Sequence, residues 1–527
     1  MAIDATLVRR ADSAVAAVLV ITASMLALTG CGGHSKAATT TAKARTTTTA
    51  PATATTPAAA TATANASAST AAKIQWRPCK RGQCGTLAVP LSYNDPGGKQ
   101  IQLALFRLPA KDPSNRIGTI LLNPGGPGGS GVQFARLYGL GFPASIRARF
   151  DVIGWDPRGV GASDPIDCGA ALARSFALDQ APLTAAQRAA LAAGNRSFGL
   201  ACKAKVGAIL GNVSTVDTAR DMDRIRAALG ERRITYVGYS YGTYLGAVYA
   251  NMFPTHVRAM VLDGVSDPGQ SAVQFLLTQA RSLDRSMDQF FAECAKQSSC
   301  AFHSGGHPAA AFAALTHKIE AHPLRVGARM LGTSQFFFGA ENPLYTNDTA
   351  KLAKALAAAV KGNGAPLLAS YDDYVGRRPN GTYSTELSAN TAINCLDGRG
   401  INGVGAALAV QHRFVSAAPL FGRFTLYNNE VCGDWPVRPQ PPRLPITAAG
   451  APPIVVIGST GDPVTPYSDA VRLAHELRSG VLLTATSKGH TTNFLIGGPC
   501  DSLGVPYLLT GRPPKNGSRC VAQRSAK

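Results

Sequence analysis

Ser240 stands in Gly238-Tyr239-Ser240-Tyr241-Gly242, after a short β-rich run at 234–237 and before an Ala-rich helical stretch at 245–252. A serine hydroxyl is a weak nucleophile and becomes useful only where a base can reach it. G-x-S-x-G between a strand and a helix sets the serine on a sharp, exposed turn, and the flanking glycines leave room for it. A base and an acid are available downstream. Residues 454–458 read as a buried strand ended by Ser459-Thr460-Gly461-Asp462-Pro463, and 481–484 as a strand leading into Ser487-Lys488-Gly489-His490. Asp462 and His490 therefore both fall on loops at strand ends. His475 lies inside a helical pattern at 468–477 and reads as a surface residue. Asp263, at the end of the strand-like run 259–262, is a rival acid, although Asp263-Gly264 also suits a plain turn. The favoured set is Ser240 as nucleophile, His490 as base and Asp462 as the group that orients the imidazole and stabilises its charged form.

An attacked carbonyl needs two N–H donors aimed at the oxygen that becomes negative. The residue after the nucleophile, Tyr241, supplies one. The second is expected from Gly126, in Pro124-Gly125-Gly126-Pro127-Gly128-Gly129-Ser130-Gly131, which follows a strand at 118–123. Gly126, Gly128 and Gly131 also satisfy G-x-G-x-x-G, a dinucleotide fingerprint. Pro127 removes an N–H that a pyrophosphate would use, so no cofactor is expected. The loop Trp155-Asp156-Pro157-Arg158-Gly159-Val160-Gly161-Ala162-Ser163 reads as rigid, with Arg158 tying neighbouring loops together.

These elements must be carried by an alternation of strands and helices. Helical patterns without that rhythm, at 272–295, 309–321 and 349–361, fill the long interval between the nucleophile half and the acid and base.

The N-terminus reads as an export signal. Arg9 and Arg10 precede an apolar stretch at 14–28, and Leu28-Thr29-Gly30-Cys31 matches a bacterial lipobox, with Cys31 as the lipidated residue. Residues 32–72 are almost entirely Ala, Thr, Ser and Pro and cannot build a core. Ten further cysteines remain: Cys79, Cys84, Cys168, Cys202, Cys294, Cys300, Cys395, Cys432, Cys500 and Cys520. In an oxidising compartment an even set favours disulfides, and neighbour pairing is the simplest connectivity. Cys294, Cys300, His303 and His307 also form a zinc-like grouping; its Cys-x₅-Cys gap is long for a zinc knuckle, and no metal is expected. The net charge of +21 is scattered without a Lys/Arg run, which argues against nucleic acid and suits an anionic envelope polymer as a partner.

The chain resembles the secreted actinobacterial tripeptidyl aminopeptidases among the prolyl-aminopeptidase-like α/β-hydrolases. The matching residues are Asn123-Pro124-Gly125-Gly126-Pro127-Gly128, Trp155-Asp156-Pro157-Arg158-Gly159, Gly238-Tyr239-Ser240-Tyr241-Gly242-Thr243-Tyr244, Gly461-Asp462-Pro463-Val464-Thr465-Pro466 and Gly489-His490. Pro124 stands where prolyl aminopeptidases usually carry histidine, which fits the tripeptidyl branch. The resemblance implies an α/β-hydrolase fold: a mostly parallel central sheet with a large, mainly helical cap insertion. The expected division is a lipoprotein signal peptide at 1–30, a disordered tether at 31–73, core at 74–265, cap at 266–450 and core again at 451–527. The resemblance also implies a serine exopeptidase that releases short peptides, tripeptides being expected, from free N-termini; the lipobox makes it exported and membrane-anchored. Cap acids would meet the substrate's ammonium, with Asp397, Glu430 and Asp434 as candidates. A carboxylesterase or lipase acting on envelope esters is the second reading, since the same triad serves both acyl transfers. A binding lipoprotein with a retired hydrolase fold is the third, and the complete Ser240, Asp462 and His490 set argues against it.

Overall fold

Four hydrophobic runs become strands buried along nearly their whole length: β4 (Gly118–Asn123), β5 (Phe150–Trp155), β6 (Ile234–Tyr239) and β7 (Val257–Asp263). Burial on both faces is what a central parallel strand requires, because helices cover each side. The computed structural model describes residues 73–520. The expected signal peptide, the lipidation site Cys31 and the tether up to residue 72 lie outside the described residues.

Around those strands lie β1 (Arg77–Cys79), β2 (Gly82–Pro90), β3 (Gln100–Leu108), β10 (Ile454–Gly461), β11 (Gly480–Lys488) and β12 (Ser518–Arg519). Together they form a ten-stranded sheet in the order β1-β2-β3-β5-β4-β6-β7-β10-β11-β12. The pairings from β5 to β12 are parallel, and those joining β1, β2, β3 and β5 are antiparallel. The sheet is thus mostly parallel, and the fold is that of an α/β-hydrolase.

The two-residue period of a strand divides its side chains between two cores. Leu121, Ile153, Tyr236, Met260 and Val456 join one cluster; Leu122, Val152, Val237, Val261 and Ile457 join the other. The first cluster is closed by the helices Thr215–Ala228 and Tyr241–Met252, through residues such as Met222, Ile225 and Leu245. The second is closed by the helices Gly131–Tyr138 and Asp501–Thr510, through Phe134 and Leu508.

Between β7 and β10 the chain is mainly helical. The helices Ala272–Lys296, Pro308–Ala321 and Thr349–Val360 fall where the sequence pattern put them. The pattern missed Thr333–Tyr345, Ala365–Tyr374, Glu386–Leu396 and Gly403–Ala417. Thr333–Tyr345 and Glu386–Leu396 are buried along most of their length, so no polar stripe marks their period. A small antiparallel hairpin, β8 (Leu324–Val326) with β9 (Arg329–Leu331), also lies here.

Five disulfides join Cys79–Cys84, Cys168–Cys202, Cys294–Cys300, Cys395–Cys432 and Cys500–Cys520. These are the neighbour pairs, and they mark a chain that matures in an oxidising compartment. The Cys294–Cys300 bond removes the thiolates that a zinc site there would need. Among the described residues no helix is long and apolar enough to cross a membrane.

Arg158 is fully buried, as is its partner Asp221, at 2.6 Å. Its guanidinium also donates to the carbonyls of Pro90, Leu91 and Asn212, and Tyr93 donates to Asp221. One side chain therefore ties the end of β2 to the approach to the helix Thr215–Ala228. Removing it strands a buried carboxylate and three carbonyls. Arg158→Leu is expected to lower unfolding free energy by about 3–5 kcal/mol, measured by denaturant melts. A loss below about 1 kcal/mol, the range of exposed pairs, would rule out this bracing role.

Candidate active site

Ser240 caps the helix Tyr241–Met252 from a left-handed backbone conformation, φ 54° and ψ −123°. Non-glycine residues avoid such values, and packing must impose them. A Cβ on Gly238 would come within 2.3 Å of the Gly242 carbonyl oxygen, and one on Gly242 within 2.6 Å of the Asn123 oxygen. Larger residues at either place would unwind the turn. The Ser240 N–H donates to the Asp263 carbonyl at 2.9 Å, which fixes the turn to the neighbouring strand β7.

His490 lies after β11. Its Nδ1 is 2.9 Å and 3.0 Å from the two carboxylate oxygens of Asp462. Asp462 also accepts the N–H groups of Val464, Thr465 and Thr491 and the hydroxyl of Thr465, all within 2.8–2.9 Å. Burial by itself would raise the Asp462 carboxyl. The His490 imidazole and these donors outweigh burial and hold it below the ordinary carboxylate range. An ionised carboxylate at Nδ1 leaves Nε2 as the nitrogen free to take a proton. Nε2 is buried and has no hydrogen-bond partner among the described residues. No Ser240–His490 hydrogen bond is made among the described residues. Tyr345 packs its ring 4.7 Å from the imidazole and accepts the His490 N–H on its carbonyl.

Asp263, the rival acid, is employed elsewhere. Its carboxylate accepts the N–H groups of Thr492 and Phe494 and the Thr492 hydroxyl, at 3.0–3.2 Å. It anchors the loop that carries His490 without touching the ring. Burial pushes its carboxyl up to about 6, against the pull of those donors.

Gly126 and Tyr241 share one cavity with Ser240. Tyr241 opens its helix, where an N–H has no intrahelical acceptor. A Cβ on Gly125 would stand 3.1 Å from the Tyr241 nitrogen, so the glycine loop lies directly against the elbow. The Asn390 side chain donates to the Pro127 carbonyl at 3.0 Å, and Ser282 to the Asp462 carbonyl at 2.7 Å. Helices from the β7–β10 interval therefore grip both halves of the site. The cavity holds about 40 Å³.

The three acids expected at the substrate's ammonium are not in this cavity. Asp397 takes the N–H and hydroxyl of Thr215. Glu430 is fully enclosed, with neither oxygen hydrogen-bonded. Asp434 pairs with Arg196 at 2.8 Å, far more exposed than the site residues. Proximity to cysteines in sequence said nothing about which way these side chains turn.

Thr465 is the neighbour that sequence reading left without a role. Its hydroxyl is 2.8 Å from Asp462 and 3.1 Å from His490 Nδ1. A hydroxyl three residues after an acid, Asp462-Pro463-Val464-Thr465, was the available signal. Thr465→Val removes one hydrogen bond worth about 1 kcal/mol. It is expected to lower kcat roughly fivefold with KM little changed, read by steady-state kinetics. An unchanged kcat would leave Thr465 a packing residue.

The chain matches the family model described as alpha/beta hydrolase fold over residues 118–304 and that described as TAP-like protein over residues 418–520. It is 35% identical over 476 residues to "Serine protease Hip1" of Mycobacterium tuberculosis, covering 85% of this chain and 91% of the relative. It is 32% identical over 477 residues to "Tripeptidyl aminopeptidase" of Streptomyces lividans, covering 85% and 87%. It is 34% identical over 477 residues to "Carboxylesterase B" of Mycobacterium tuberculosis, covering 86% and 90%.

Proposed function

The chain belongs to the α/β-hydrolase family, with a TAP-like C-terminal part, and is a serine hydrolase; from that premise we propose that it is an exopeptidase releasing short peptides, tripeptides above all, from free N-termini. The observation that carries the reading is the pairing of His490 with Asp462 on loops flanking the strained Ser240 turn, in a chain whose relatives include a tripeptidyl aminopeptidase. Ser240 attacks the peptide carbonyl, and His490 Nε2 accepts its proton. The N–H groups of Gly126 and Tyr241 receive the oxyanion, and the imidazolium then protonates the leaving amine. Water repeats the sequence on the acyl-enzyme. The helical interval between β7 and β10 acts as the cap that keeps long chains out at one end. The N-terminal lipobox supports anchoring through Cys31 on the outer side of a membrane, with the net charge of +21 favouring an anionic envelope polymer alongside.

A free N-terminus needs a carboxylate to meet it. With Asp397, Glu430 and Asp434 turned elsewhere, Glu386 and Glu341 are the candidates; neither lines the Ser240 cavity, and Glu386 lines a second one with Pro124 and Gly128 of the glycine loop. Glu386 turns its carboxyl inward, where Oε1 is out of solvent and unpartnered. Glu341 is buried and accepts only the Tyr374 hydroxyl, at 2.9 Å. Burial pushes the two carboxyls up, to about 8 and about 7, so each is neutral in the free protein and gains its charge when an ammonium arrives beside it and draws that value down. Burial above all, then the charges of Asp462, Glu386 and Glu341, push the Tyr345 hydroxyl up, and Tyr345 packs on His490.

The test compares a free tripeptide anilide, its N-acetylated twin and a short-chain nitrophenyl ester, with Ser240→Ala as control. Cleavage of the free peptide alone supports the exopeptidase. Ester cleavage with no peptide activity overturns it in favour of an esterase, as one relative is named. Glu386→Gln is expected to raise KM for the free peptide about 10-fold or more without slowing any ester cleavage; equal effects on both substrates would remove Glu386 from ammonium recognition.

A further inference from the structure

Arg399 lines the same cavity as Ser240 and has only 7% of its surface exposed. Its guanidinium is held between two rings, 4.6 Å from the centroid of Tyr244 and 4.1 Å from that of Phe275. It donates to the Ser266 hydroxyl at 2.9 Å and to the Asp267 carbonyl at 3.5 Å. Among the described residues no carboxylate lies within ion-pair distance of it, although its charge is felt at Asp397 and the Tyr244 hydroxyl bonds it. The nearest in sequence, Asp397, is taken by Thr215; Asp267 is taken by Arg472 and the Gly269 N–H. Uncharged Gln279, Asn390, Asn394 and Asn429 share the cavity, and no acid lines it.

A buried guanidinium keeps its charge and is costly to enclose without a counter-charge. Here it is preorganised by two rings and by the Ser266 and Tyr244 hydroxyls, beside the nucleophile, and still has N–H groups to give. We propose that Arg399 is a specificity residue that binds a carboxylate of the substrate close to the bond being cut. A planar fork matches a carboxylate with two parallel hydrogen bonds. That carboxylate comes either from an acidic side chain on the residue before the scissile bond or from the free C-terminus of a short leaving peptide. The substrate class becomes peptides carrying an anion next to the cleavage point. This rests on the exopeptidase reading of the same cavity, deepening it by a second recognition element.

The experiment measures kcat/KM for matched pairs in the wild type, Arg399→Met and Arg399→Lys. One pair is Ala-Ala-Glu anilide against Ala-Ala-Gln anilide. The other is tetra-alanine against its C-terminal amide. The wild type is expected to prefer the anionic member of one pair by about 10-fold or more, chiefly through KM; which pair responds identifies the source of the carboxylate. The ratio is expected to fall to about 1 in Arg399→Met and to be partly kept in Arg399→Lys, because charge without the fork is a weaker match. No preference in the wild type overturns the proposal, and so does a preference that survives in Arg399→Met. The wild-type ratios decide the matter by themselves if Arg399→Met does not fold. If esters are cleaved and no peptide is, the exopeptidase reading fails on its own, and nitrophenyl hydrogen succinate against nitrophenyl butyrate makes the same comparison for Arg399.

Discussion

Ser240→Ala and His490→Ala are each expected to lower kcat by about 10⁶-fold, and Asp462→Asn by about 10⁴-fold. The ordering follows from what each group does. Without Ser240 no acyl-enzyme forms, and without His490 the hydroxyl keeps its proton. Asp462→Asn keeps the shape but presents an amide where a carboxylate now faces Nδ1 at 2.9 Å, so the imidazole is left in the wrong tautomer for part of the time. The double variant Ser240→Ala/His490→Ala is expected to be no worse than either single one, because the two act as a unit. Asp263→Asn supplies the internal control. Its carboxylate meets only the backbone and hydroxyl of the His490 loop, so kcat is expected to fall by about 10-fold or less, the cost of one or two weakened hydrogen bonds. If Asp263→Asn proved as damaging as Asp462→Asn, the acid would have to be reassigned. Single-turnover kinetics on an ester separates acylation from later steps and reads all five variants on one scale.

Stability is expected to fall as pH rises from about 5 to about 8.5, opposite to the usual behaviour of a protein held by ionised acids. Burial pushes Glu386 and Glu430 up to about 8, and Glu341 and Asp397 up to about 7. In the unfolded chain carboxyls release their protons near pH 4. Between those limits the folded state holds more protons than the unfolded one, so the slope of unfolding free energy against pH is negative. The stabilisation is complete below about pH 4 for these groups, is lost through the window from about 4 to about 8, and is flat above it. Each unit of displacement is about 1.4 kcal/mol, so even half of the shifts at Glu386 and Glu430 amounts to several kcal/mol. Asp462 opposes the trend, since its lowered carboxyl contributes stability present above the ordinary value and lost in acid, at a pH below this window. Denaturant melts at pH 5, 6.5 and 8.5 test the slope. Glu430→Gln is expected to flatten it, because the amide keeps the shape and cannot ionise. Stability that rose across this range would contradict the burial of these four carboxyls as neutral groups.

The order of the proposed triad was legible because its chemistry is local. A nucleophile turn needs small residues at fixed distances, so Gly238 and Gly242 announce Ser240 in the sequence itself. Buried parallel strands are continuous apolar runs, so 454–458 and 481–484 placed Asp462 and His490 at strand ends. Neighbouring cysteines predicted the five bridges because short chain separations keep their partners within reach. Other features depend on contacts between residues far apart, and no local pattern records them. The preference for Asp462 over Asp263 rests on which carboxylate faces Nδ1, residues 28 and 227 positions from His490. The helix Glu386–Leu396 carries no apolar stripe because both its sides are buried, yet it brings Asn390 to Pro127 across 263 positions. Asp397, Glu430 and Asp434 looked alike as acids near cysteines, and only packing turned one to Thr215, enclosed another and paired the third with Arg196. Arg399 carried no sequence signal at all. Its meaning arises from two rings and hydroxyls that hold it beside Ser240 with no carboxylate at ion-pair distance, and that arrangement exists only once the chain has folded.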